Sequence, residues 1–195
     1  LVEALDHFAP VLIAFSGHVE LLLHFRGEVE VHDRREVFNE EVVHGMPSGR
    51  VLKEGDIVGL DFGVYYQGFY GDAAVTLPVG RVSEEAARLM RVTEQSLYAA
   101  IEQASSGNRL GDISAAVQET AESAGYSVVR DFVGHGIGRN MHEDPQIPNF
   151  GKKGRGIELQ TGMILAIVPM VSGSADTLIG VLARMSNHRC VPKAR

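Results

Sequence analysis

Ile57-Val58-Gly59-Leu60-Asp61-Phe62-Gly63-Val64-Tyr65-Tyr66-Gln67-Gly68-Phe69-Tyr70-Gly71-Asp72-Ala73-Ala74-Val75-Thr76-Leu77 reads as one tight β-hairpin. Ile57 to Tyr65 and Phe69 to Leu77 are rich in Val, Ile, Leu, Phe and Tyr, with Tyr66-Gln67-Gly68 between them. A turn centred between Tyr66 and Gln67 sets Asp61 directly opposite Asp72. Opposed side chains on paired strands have Cβ atoms about 5 Å apart, and like charges there are destabilising. Two carboxylates so placed call for a cation or a shared proton. The bland alternative is two solvated acids on an edge strand.

His135 adds an imidazole, in Gly134-His135-Gly136-Ile137-Gly138. Glycines on both sides let the backbone pass close to a ligand. The run is no phosphate loop, because it lacks the Lys-Ser/Thr pair and the spacing of a dinucleotide fingerprint. Two acids and one imidazole suggest a metal site, and this donor set suits Mn, Fe, Co or Zn. His44, in Val43-His44-Gly45, and His142, in Met141-His142-Glu143, are isolated histidines. Taken singly, each reads more readily as a surface or core residue than as a functional one.

Around the hairpin the punctuation is plain. Ser83-Glu84-Glu85 predicts an N-cap with acids in the first helical turn. Small and apolar residues at Ala86, Met90, Leu97, Ile101 and Ala104 mark one face of a helix that Gly107 stops. A second helix is predicted over about Asp112 to Ala124, stopped by Gly125. Ser127 to Val133 and Met163 to Val171 read as strands. Leu12 to Leu23 has helix-like apolar spacing, followed by a charged stretch from Glu28 to Glu36. Strands flanking two helices, with antiparallel pairing, indicate an α+β fold.

The 195 residues suffice for one domain with a full core. A net charge of −7 without a Lys/Arg block argues against nucleic acid as a partner. No apolar run reaches the roughly 18 residues that span a membrane. Leu1 to Leu23 is interrupted by Glu3, Asp6 and Glu20 and has no basic start, unlike a signal peptide. One cysteine, Cys190, excludes an internal disulfide and fits a reducing compartment.

Several stretches together carry a resemblance to a known family. These are Asn39-Glu40-Glu41-Val42-Val43-His44-Gly45-Met46-Pro47, Leu52-Lys53-Glu54-Gly55-Asp56-Ile57-Val58, Asp61 to Asp72, Gly134 to Arg139, His142-Glu143-Asp144-Pro145-Gln146 and Gly162-Met163. From Phe38 to about Ser174 the chain resembles the type I methionine aminopeptidases. The resemblance implies the pita-bread fold, a curved antiparallel sheet with helices on its outer face. It also implies removal of the initiator methionine from nascent cytoplasmic proteins by a metal-activated water, with N-terminal peptides as partners and the chain acting as a monomer. In that family two divalent ions lie side by side. By resemblance Asp61 ligates one, Asp72 bridges both and His135 ligates the other. His142 polarises the scissile carbonyl and His44 contacts the scissile amide.

The family pattern breaks at three places. Val168, in Ala166-Ile167-Val168-Pro169-Met170, stands where the family has a metal-binding glutamate. The later strand carrying a second glutamate has no match, and neither do residues 1–37 or 176–195. The expected organisation is therefore an unmatched segment 1–37, a catalytic-type domain 38–175 and an unmatched tail 176–195. A truncated or frame-disturbed product, incomplete at both termini, is expected to bind at most one ion weakly and to be impaired. A non-catalytic peptide- or partner-binding relative and a proline-specific peptidase of the same fold are the alternatives.

Overall fold

The computed structural model describes residues 10–15, 18–23, 30–39, 51–173, 179–181 and 184–185. Strands β1 (Pro10–Phe15) and β2 (His18–Leu23) pair antiparallel, with Phe15 facing His18. The helix-like reading of Leu12 to Leu23 is thus corrected to a strand pair. Nearly continuous apolar runs carry no period that separates helix from strand.

Strand β3 (Glu30–Phe38) pairs with β4 (Ile57–Tyr66), which pairs in turn with β5 (Phe69–Pro78). The β4–β5 loop is Gln67-Gly68, closed by the pair Tyr66 and Phe69. Both loop residues have positive φ, 48° and 87°, as a two-residue type I′ turn requires. The turn centre therefore lies one residue later than predicted. Asp61 faces Ala74 and Asp72 faces Gly63. The two aspartates share a face as diagonal neighbours, about 7–8 Å apart by strand geometry, and are not directly opposed. At the entry to β4, Asn39 (φ 48°) gives its Nδ2–H to Asp56 Oδ1 at 3.0 Å and accepts the Ile57 N–H at 2.9 Å.

Helix α1 (Glu84–Gln103) begins at Ser83, whose Oγ accepts the Ala86 N–H at 3.1 Å, as predicted. Helix α2 (Leu110–Ser123) follows, with Asp112 in its first turn. One Asp112 oxygen accepts the Arg109 N–H at 2.7 Å and the other accepts the Gly154 N–H at 2.7 Å. That carboxylate therefore ties the helix start to the 151–156 loop.

The remaining strands are short: β6 (Ser127–Val128), β7 (Val133–Gly136), β8 (Glu143–Pro148), β9 (Leu165–Ile167), β10 (Met170–Ser172), β11 (Ile179–Val181) and β12 (Arg184–Met185). The order β3-β4-β5-β12-β9-β7-β8 makes a seven-stranded sheet, and β11-β10-β6 makes a second one. All these pairings are antiparallel. Each predicted strand of the second half is thus two short strands in different sheets.

Alternation along β9 separates the two faces. Leu165 and Ile167 join Leu89, Leu97, Ile113 and Val117 in the main core beneath the helices. Ala166, between them, turns the other way and packs with Ile137, Tyr70, Met141 and Val168. The helices therefore cover one face, and Ala166 marks the other.

Candidate active site

His135 lies on β7 directly opposite Ala166 of β9, and so belongs to the face away from the helices. Its neighbours Gly134 and Gly136 are both buried. A Cβ on Gly134 would collide with the Ala166 carbonyl, and one on Gly136 with the Asp144 carbonyl. Close strand approach from β9 and β8, more than approach of a ligand, explains these two glycines. They let His135 sit in the middle of tightly spaced backbone.

The imidazole is buried, and so is Asp72, at 8% and 7% exposure. His135 Nε2 lies 3.3 Å from Asp72 Oδ2. Nδ1 lies 2.9 Å from the Gly136 carbonyl, so Nδ1 carries the proton and donates it there. Nε2 then faces the carboxylate, to which it donates when the ring is charged and from which it could ligate a metal when the ring is neutral. Burial pushes the imidazole pKa down. The Asp72 carboxylate, the Gly136 carbonyl and the charges of Asp72 and Asp61 outweigh burial and hold it above the ordinary histidine value.

This donor set can be tested against a divalent ion. An ion bound at about 2.0–2.2 Å by a nitrogen and an oxygen sets adjacent ligands roughly 2.8–3.6 Å apart, from right-angled to tetrahedral. The His135–Asp72 separation of 3.3 Å falls in that range, so the pair fits one edge of a coordination shell. Asp61, half-buried on the same face, is near enough for its charge to act on His135. Among the described residues, however, no three His, Cys, Asp or Glu side chains already converge as a metal cluster.

The exposed His142 ring rests on His135, with ring centroids 4.3 Å apart and planes tilted by 46°. His142 is thereby part of the same site. His44 lies outside the described residues. Val168 is half-buried on the site face, in contact with the Ile137–Ala166 cluster and with the cluster around Met170.

Three features of the site escaped the sequence reading. The Tyr70 N–H donates to the Gly138 carbonyl at 2.8 Å, joining the Asp72 strand to the His135–His142 loop. Glu143 Oε1 accepts the Asn140 N–H at 2.8 Å inside that loop. Asn149, 2% exposed, donates to the Val129 and Phe132 carbonyls, each at 3.2 Å, and accepts the Met170 N–H at 3.4 Å. A glutamate directly after His142 was a visible signal. The other two connect residues distant in sequence.

Residues 38–187 match metallopeptidase family M24. The chain belongs to that family. It is 58% identical over 134 residues to a methionine aminopeptidase of Clostridium acetobutylicum, covering 68% of this chain and 54% of that protein. A methionine aminopeptidase 1 of Bacillus subtilis is 48% identical over 151 residues, covering 77% of this chain and 59% of that protein. The crystal structure of the Thermotoga maritima methionine aminopeptidase superposes with a TM-score of 0.74 at 47% identity, over 77% of this chain and 67% of that one. The expected pita-bread fold is thereby borne out. This M24 chain spans about half the length of the curated relatives it matches. No helix among its described residues is long and apolar enough to cross a membrane.

Proposed function

We propose that this chain is a methionine aminopeptidase-type metallopeptidase that removes the initiator methionine from nascent proteins. One observation carries the reading: a buried His135–Asp72 pair at 3.3 Å, with His142 stacked on it, in a chain 58% identical to a methionine aminopeptidase. Asp61, Asp72 and His135 would hold a divalent ion: Mn, Fe, Co or Zn. When bound, such an ion supplies an acidified water and a Lewis acid for the peptide carbonyl. His142, on the exposed side of His135, orients that carbonyl and donates a hydrogen bond to the oxygen where negative charge develops. His44 contacts the scissile amide. The substrates are N-terminal peptides, met in the cytoplasm by a monomer.

Val168 limits this activity. It occupies the position of a ligand glutamate, and a valine neither ligates nor accepts a proton. We infer one weakly held ion and impaired turnover. A second reading, a relative that binds peptides without cleaving them, is favoured by the apolar contacts of Val168.

Isothermal titration with Mn²⁺ or Co²⁺, followed by a Met-Ala-Ser cleavage assay, tests both readings. One weak site and slow release of methionine supports the first. Peptide binding with no release supports the second. Preferential cleavage of Xaa-Pro peptides would overturn both in favour of a proline-specific enzyme.

A further inference from the structure

His142 is exposed, and its ring rests on that of His135. Its backbone is fixed from both sides. The residue after it, Glu143, begins β8 and pairs with Gly136. The Glu143 carboxylate folds back into the loop, where Oε1 accepts the Asn140 N–H at 2.8 Å and lies 3.4 Å from Asn140 Nδ2. Gly138 leaves room for it. A Cβ at Gly138 would lie 3.1 Å from Glu143 Oε2 and 3.3 Å from Oε1, tighter than ordinary packing. The Gly138 N–H donates to the Asn140 carbonyl at 3.2 Å, and its carbonyl accepts the Tyr70 N–H at 2.8 Å. Tyr70 precedes Asp72 by two residues on β5. The loop carrying His142 is thus closed by Glu143 and joined by backbone to the strand carrying Asp72.

We propose that Glu143 is a positioning residue for His142: its carboxylate locks the 138–143 turn and so holds the imidazole over His135, facing the bound peptide. The proposal rests on the peptidase-type reading for the identity of the ligand, but its geometric part stands without it. A charged acceptor suits the task, since hydrogen bonds to a carboxylate are shorter and stronger than neutral ones. Loss of a contact that orients a metal-ligating side chain costs about 10–100-fold in affinity or activity, and the lower end of that range is expected for a residue that orients a peptide-contacting imidazole. Glu143 itself does not touch the His135–Asp72 pair through any contact described above.

The test compares Glu143→Ala and Glu143→Gln in the full chain, each alone and with His142→Ala. Two readouts are used: proton cross-relaxation between the His135 and His142 rings, and affinity for Met-Ala-Ser peptide with saturating Mn²⁺. Glu143→Ala should lose the ring–ring signal and weaken the peptide about tenfold. Glu143→Gln, which keeps an acceptor, should retain both. Once His142 is alanine, Glu143→Ala should change peptide affinity no further. An intact ring–ring signal in Glu143→Ala, or an undiminished tenfold effect without His142, would overturn the proposal. If wild type binds no peptide, the peptidase-type reading fails, and the ring–ring signal alone decides the role of Glu143.

Discussion

Replacing Val168 with glutamate puts a carboxylate back where the family reading wants a metal ligand, and its energetics can be worked through. Val168 is half-buried between two apolar clusters, touching the Ile137–Ala166 group on one side and the Met170 group on the other. Removing it forfeits about half of a buried valine's transfer energy, roughly 1 kcal/mol. Placing a partly buried carboxylate there without a partner adds roughly 1–3 kcal/mol. The Asp72 carboxylate on the same face makes the new charge less welcome. In a metal chelator, Val168→Glu should therefore lose about 2–4 kcal/mol, a fall in Tm of roughly 5–15 °C for a chain of this size.

Metal should narrow the gap between the two proteins. A ligand at 100 times its Kd stabilises by about 2.7 kcal/mol, whereas one near its Kd gives only about 0.4 kcal/mol. Wild type, with two donors already converged, should gain about 1 °C from millimolar Mn²⁺. Val168→Glu should gain roughly 5–10 °C and recover most of its deficit. Thermal melts of both proteins, in chelator and in Mn²⁺, with isothermal titration alongside, provide the assay. A variant whose melting responds to Mn²⁺ no more than wild type would refute the assignment of position 168 to the metal site.

Further outcomes follow from single contacts. Asn149→Ala leaves two carbonyls and one N–H without their partner in a buried place, at roughly 2–4 kcal/mol in all. Chemical denaturation should show this, and Asn149→Asp, which cannot donate, should be at least as damaging; a wild-type midpoint for either contradicts the pinning role. Gly136→Ala drives a Cβ into the Asp144 carbonyl, 3.0 Å from the Glu143 carbonyl, and should cost at least about 1–3 kcal/mol. It should also displace His135 from Asp72, read as lost Mn²⁺ binding; unchanged Mn²⁺ affinity speaks against the tight-approach argument. Asp112 is held below the ordinary carboxylate range, first by the Arg109 N–H and then by the Gly154 N–H, against some burial and with help from the Arg109 and Lys153 charges. A lowered folded pKa stabilises above the unfolded value, and that gain is lost as pH falls through the folded one. The difference in Tm between wild type and Asp112→Asn should therefore hold near neutrality and shrink below about pH 4. A difference independent of pH would exclude the charged capping role.

Local chemistry was legible in the sequence wherever one residue type forces one conformation. Ser83 before two glutamates gave the start of α1, and the two runs around Tyr66-Gln67-Gly68 gave the hairpin. The register of that hairpin was less secure. A glycine with φ of 87° belongs at the second central position of a two-residue turn, which moves every cross-strand partner by two residues. Asp61 and Asp72 keep their common face under this shift, because both strands still alternate. Their relation to each other changes from opposed to diagonal. The site therefore depends less on mutual repulsion of two acids than on the approach of His135 to Asp72.

That approach is the part a linear reading could not supply. Ser127 to Val133 and Met163 to Val171 look like continuous strands, because buried strands are uniformly apolar. Both runs in fact break where their partners change. Pro169, with no N–H to give, separates β9 from β10. Asn149 draws in the carbonyls of Val129 and Phe132 from the turn between β6 and β7. Its third bond, from the Met170 N–H, fixes the start of β10 just beyond Val168. One buried asparagine thus bridges the β6–β7 turn and the start of β10, flanking on both sides the strand that carries His135 and the strand that ends at Ile167, just before Val168. The position of residue 168 relative to His135 is consequently a property of the scaffold, retained whether the side chain there is valine or glutamate. If position 168 belongs to the metal site as proposed, valine there removes chemistry without removing the geometry, and a single substitution to glutamate is a direct way to look for metal.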